Sequence, residues 1–71
     1  MRKNAKLPKQ LGKRIQKLRQ NADMTQEQLA EKVNISRAYM GYIEQGRNEA
    51  SLTVLEKIAK QLHIPLSELF D

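Results

Sequence analysis

Apolar residues in this 71-residue chain recur at steps of three and four, and no stretch alternates with a period of two. That spacing commits the chain to helices. Leu7, Leu11, Ile15, Leu18 and Ala22 fall on one face, with Pro8 tolerated in a first turn, so the first helix is expected over about residues 8–21. Thr25 can cap the second, and Gln28 stands three residues later, the spacing of a capping box. Met24 before the cap can staple onto Leu29, and Leu29, Ala30 and Val33 face inward. Asn34 tolerates the left-handed backbone that ends a helix, and Ser36 caps the third helix, about residues 36–45. Ile35 and Met40 repeat the staple spacing, Met40 and Ile43 supply the buried face, and Gly46 stops the helix. A loop over residues 47–51 leads to a fourth helix, Leu52–Leu62, with Leu52, Leu55, Ile58, Ala59 and Leu62 inward. Pro65 closes that segment and opens a short last helix to Phe70.

Five short helices must share one small core. A chain of this size buries only roughly 60% of the surface it exposes unfolded. It has no cysteine, so neither a disulfide nor a thiolate metal site supports it. One domain is expected over residues 8–71, preceded by a flexible basic arm over 1–7. No apolar run reaches the roughly 20 residues of a membrane span, and the basic N-terminus lacks the apolar stretch of a signal peptide, so the cytoplasm is the expected location.

Charge is distributed unevenly. Eight of the thirteen basic side chains (Arg2, Lys3, Lys6, Lys9, Lys13, Arg14, Lys17 and Arg19) lie in the first twenty residues, with no acidic one among them. The rest of the chain carries five basic and all eight acidic residues. A polyanion near the N-terminus and a merely solvated face both fit this asymmetry. There is no nucleophile with a paired histidine, no glycine-rich phosphate loop and no metal-ligand cluster, so neither catalysis nor a cofactor is expected. His63 stands alone near the end of the fourth helix, where it suits the last carbonyls better than a metal.

Two short helices joined by a tight turn between Val33 and Ser36, the second opening on Arg37 and carrying Tyr39 and Tyr42, have the shape of a DNA-reading helix-turn-helix. Thr25-Gln26-Glu27-Gln28-Leu29-Ala30-Glu31-Lys32-Val33, then Ser36-Arg37-Ala38-Tyr39-Met40-Gly41-Tyr42-Ile43-Glu44-Gln45-Gly46-Arg47, resembles the Cro-like, phage-repressor (lambda-repressor-like) family. Ser51-Leu52, Leu55, Ile58-Ala59 and Leu62 continue the match, and Pro65-Leu66-Ser67-Glu68-Leu69-Phe70 ends it. The resemblance covers roughly residues 10–70. Asn34 stands where the family usually has glycine, and Ala50 where proline often precedes Ser51.

The resemblance implies an all-α, compact five-helix domain with the third helix in the major groove of double-stranded DNA. It implies base contacts from Arg37, Ala38 and Tyr42: a planar fork for guanine, a small group for a thymine methyl, and a reach one turn deeper. Gln26, Ser36, Tyr39, Arg47 and Asn48 would hold the DNA backbone. Arg37 as a solvated charge and Tyr39 as a packing residue are the competing readings, and Gly41 is expected to allow a close helix or backbone approach. Arg19 and Glu44 match a family pair that ties the first helix to the third. Leu66, Leu69 and Phe70 form a candidate dimer surface, with folding back onto the core as its rival. The function implied is a sequence-specific transcriptional regulator, a repressor acting as a homodimer on a pseudo-palindromic operator. Restriction-modification controllers and antitoxins use the same domain. A protein-interaction module with secondary DNA binding is the alternative. The core's need for the first helix's apolar face argues against membrane-surface binding.

Overall fold

A computed structural model of the chain describes residues 9–47 and 50–70, Lys9 by its backbone alone. The expected arm over 1–7, Leu7, Pro8 and the contact assigned to Asn48 lie outside the described residues. The element order is α1 (Lys9–Asn21), α2 (Gln26–Lys32), α3 (Arg37–Gln45), α4 (Leu52–Gln61) and a C-terminal 3-10 helix (Leu66–Phe70). The short last helix expected from Pro65 to Phe70 is thus a 3-10 helix that starts at Leu66. Glu68 N–H bonds the Pro65 carbonyl at 3.0 Å, the i to i+3 pattern, in a five-residue element too short to build an α ladder.

Three hydroxyls start three helices. Thr25, Ser36 and Ser51 accept from the backbone N–H groups of Gln28, Tyr39 and Val54 at 3.0, 3.0 and 3.1 Å. Each such cap is worth about 1 kcal/mol. At Thr25 the box closes, because its own N–H donates to Gln28 Oε1 at 2.8 Å.

All four α-helices end alike. A residue in the left-handed region donates to the carbonyl three positions back, and its successor donates to the one five back, which is the Schellman arrangement. The left-handed positions are Asp23, Asn34, Gly46 and His63, with φ of 60°, 64°, 75° and 61°. The paired bonds run from Asp23 and Met24 to Gln20 and Arg19, and from Asn34 and Ile35 to Glu31 and Ala30. They run likewise from Gly46 and Arg47 to Ile43 and Tyr42, and from His63 and Ile64 to Lys60 and Ala59. At α4 it is thus the His63 backbone that serves the helix end, with the side chain exposed. Met24, Ile35 and Ile64, the second residue of each non-glycine turn, pack against the core. Met24 and Ile35 also precede the caps of the next helices, so one side chain closes one helix and anchors the start of another.

The core comprises Leu11 and Ile15 of α1, Leu29 and Ala30 of α2 with Val33 after it, Met40 and Ile43 of α3, Ala50 of the following loop, Leu55, Ile58 and Ala59 of α4 with Leu62 after it, and Leu69. Three expectations are corrected here. Ala22 is exposed, because it lies beyond the last turn of α1. Leu52 is 59% exposed: it opens α4 just past the Ser51 cap, while Ala50, before the cap, is buried. Leu69 is 1% exposed and Leu66 half-buried, because the 3-10 helix folds back against α1 and α4. Of the candidate dimer surface, Phe70 alone is substantially exposed.

The approach of α1 to α3 is close. A Cβ at Gly12 would stand 2.4 Å from the Glu44 carbonyl oxygen and 2.5 Å from that of Ile43, separations no side chain survives. At Gly41, where a close approach was expected, a Cβ would meet only the Gln26 amide at 3.7 Å, an ordinary contact. Gly12 is the residue that sets how deeply α1 nests on α3.

Candidate nucleic-acid interface

Helix α3 divides cleanly. Met40, Gly41, Ile43 and Glu44 are buried, while Arg37, Ala38, Tyr42 and Gln45 are exposed. The three residues assigned to base contacts therefore share one strip. It borders a shallow hollow lined by Gln26, Arg37, Ala38, Gly41, Tyr42 and Gln45. Gln45 was missed by the sequence reading, although its place three residues after Tyr42 and seven after Ala38 was a visible signal.

A hydrogen-bonded chain runs from the core to this strip. Arg19 and Glu44 are 7% and 5% exposed. Arg19 Nε donates to Glu44 Oε2 at 2.7 Å and its Nη2 to Oε1 at 3.1 Å, a two-pronged pair between α1 and α3. Its Nη1 donates to the Met24 carbonyl at 2.7 Å, so one guanidinium also holds the α1–α2 turn. Glu44 Oε1 accepts a third bond from Gln26 Nε2 at 2.9 Å, and Gln26 Oε1 accepts from Arg37 Nη1 at 3.3 Å. The carboxylate fixes which way the Gln26 amide faces, and the amide then offers its carbonyl to Arg37. A buried charge pair adds little net stability, but a pair bonded on three sides orients whatever leans on it.

The remaining expected contacts are placed as follows. Ser36 is exposed, and its oxygen already accepts from Tyr39 N–H, which leaves the hydroxyl proton as the group to offer a phosphate. Tyr39 is half-buried and packs against the core, so part of its ring serves the fold. Arg47 is exposed, with its guanidinium carbon 5.4 Å from the centroid of the Tyr42 ring. Two members of the N-terminal basic cluster are committed internally. Arg19 is the buried tether, and Arg14 Nε donates to the Glu68 carbonyl, tying α1 to the 3-10 helix. Lys13 and Lys17 are exposed. Among the described residues no group of three or more acidic, histidine or cysteine side chains could hold a metal, and no helix is long and apolar enough to cross a membrane.

The chain is similar in sequence and fold to known proteins. The immunity repressor protein of Bacillus phage phi105 is 44% identical over 59 residues, 83% of this chain and 41% of its own length. This chain thus spans less than half of that relative. The control protein C.MunI of Mycoplasma sp is 43% identical over 60 residues, 83% of this chain and 81% of that protein. The crystal structure of the restriction-modification controller protein C.AhdI from Aeromonas hydrophila superimposes with a TM-score of 0.84 at 35% identity, covering 87% of this chain and 94% of that one. The helix-turn-helix family profile HTH_3 matches residues 15–69, from the middle of α1 into the 3-10 helix. The chain belongs to the helix-turn-helix family of DNA-binding regulators.

Proposed function

We propose that the chain is a sequence-specific regulator of transcription, a repressor, that lays α3 in the major groove of duplex DNA. The observation that carries this reading is the exposed strip Arg37–Ala38–Tyr42, held in place from behind by the Arg19–Glu44–Gln26 chain. Arg37 opens α3, where a recognition helix meets base edges. Its guanidinium is already aimed by Gln26, so less rotamer freedom is lost when it forks onto guanine O6 and N7. Ala38 is small enough for a thymine methyl to reach it, and Tyr42 stands one turn deeper. Gln26, Ser36, Tyr39, Arg47 and Asn48 form the backbone contacts that fix register without reading sequence. Lys13, Lys17 and the basic residues of 1–7 add to the field that draws the duplex in.

One such helix reads only a few base pairs, too few to single out a site in a genome. The chain therefore acts as a homodimer that sets two α3 helices about 34 Å apart, one turn of DNA, on a pseudo-palindromic operator. Phe70, 42% exposed at the end of the domain, is the anchor of that dimer. No enzyme activity belongs to this reading, and the site of action is the cytoplasm, where the DNA is. Selection from random duplexes tests it, and a two-fold symmetric motif is expected. Recovery of no preferred sequence, with binding that falls equally on all duplexes as salt rises, would contradict it.

A further inference from the structure

The pairing of Arg47 with Tyr42 lies five residues apart in sequence, a separation at which helical side chains do not meet. Gly46 brings it about. With φ of 75° it turns the chain back, and Arg47 N–H then donates to the Tyr42 carbonyl at 2.9 Å. A Cβ at Gly46 would touch nothing within 4 Å, so the glycine is there for its backbone angle rather than for space. The returning chain sets the Arg47 guanidinium over the Tyr42 ring at 5.4 Å, inside the roughly 6 Å reach of a cation–π contact.

We propose that Arg47 is a positioning residue for Tyr42, so that the two act in DNA recognition as one stacked unit and discrimination at the base pair below Tyr42 depends on the planar guanidinium and not on its charge alone. The proposal rests on the reading of α3 as the DNA-contacting helix. A phenol that is 42% exposed on an open strip is free to rotate about two side-chain bonds. The guanidinium lies over one face of the ring, while the residue as a whole stays 42% exposed. The same contact stops Arg47 from sweeping through solvent and holds its charge at the C-terminal end of the strip. Gln26 does the equivalent for Arg37 at the other end. Between the two stands Ala38, which has no side-chain rotamer to fix.

The stacked pair is tested first without DNA. In the NMR spectrum of the free protein, the Arg47 side-chain protons should be shifted by the ring current. The shift should vanish in Tyr42→Leu and persist in Tyr42→Phe, which keeps the ring. Affinities for a selected operator duplex and for a randomised duplex are then compared at one salt concentration. Arg47→Lys keeps the charge and loses the plane. It should lower the operator-to-random ratio by roughly two- to fivefold, the size of an exposed cation–π contact. In the double variant Arg47→Lys/Tyr42→Leu the ratio should match that of Tyr42→Leu alone. Absence of the ring-current shift, a native ratio in Arg47→Lys, or losses that multiply in the double variant would each overturn the proposal. If Arg37→Ala also leaves the ratio unchanged, the DNA reading of α3 fails and the proposal with it. A surviving ring-current shift would then mark the failure as lying in the reading rather than in the stacking.

Discussion

Gly12 carries no side chain because the Ile43 and Glu44 carbonyls occupy the place a Cβ would take. Gly12→Ala must therefore push α1 away from α3 and strain the Arg19–Glu44 pair behind it. Overpacking at such a contact costs about 1–3 kcal/mol, and backbone oxygens that cannot swing aside put this site at the upper end. Gly41→Ala meets only a side-chain amide at ordinary distance, and it removes a mid-helix glycine that costs about 1 kcal/mol relative to alanine. Urea unfolding is expected to show Gly12→Ala losing stability and Gly41→Ala keeping or gaining it. Equal destabilisation of both would show that the α1–α3 spacing is not what Gly12 sets. The sequence pointed to Gly41 and passed over Gly12. Closeness between helices is a product of how they cross, and no local pattern records it. Asn34 was legible for the opposite reason: its backbone conformation is decided within a few residues.

The elements themselves were largely written in the chain, through periodicity and punctuation. Thr25, Ser36 and Ser51 stand where hydroxyl caps are needed, and a left-handed residue followed by an apolar one closes α1, α2 and α4. What periodicity does not carry is where a helix overhangs its neighbours. Leu52 continues the stripe of Leu55, Ile58 and Leu62 yet projects past the core, and Leu69 looks like a surface residue near the chain end yet lies inside it. The Arg19–Glu44 tether joins α1 to α3 through groups far apart in sequence, and it came from the family resemblance rather than from spacing. Its extension through Gln26 to Arg37 belongs to the structure alone. Glu44→Ala would leave the Arg19 guanidinium buried without its carboxylate and free the Gln26 amide at once. Stability should fall by about 3–5 kcal/mol, the usual loss when one partner of a buried pair is removed. Operator binding should fall with it. Thermal unfolding and DNA binding of the same preparation check this. Unchanged stability with lost binding would mean that Glu44 belongs to the DNA surface instead.

For the whole molecule, the fold decides which apolar residues remain for assembly. Leu69 is spent on the monomer, whereas Phe70 and Leu52 stay exposed. Leu69→Ala should therefore unfold the domain at lower denaturant, with a loss of about 2–5 kcal/mol for a buried leucine. Phe70→Ala should leave monomer stability nearly unchanged and weaken assembly on operator DNA. Sedimentation of both variants, free and with operator, separates the two roles. A single chain per operator at saturation in the native protein would contradict the dimer. The net charge of +5 supplies attraction to any duplex, and that component falls with salt. Sequence preference must come from the α3 strip. The most direct measurement is the binding of native protein and Arg37→Ala to the selected operator and to a randomised duplex at one salt concentration. Arg37→Ala is expected to lose roughly 1–3 kcal/mol on the operator, little on random DNA, and its preference at one base pair of each half-site. Equal losses on both duplexes would contradict it, and would make Arg37 a phosphate contact and α3 something other than the reading helix.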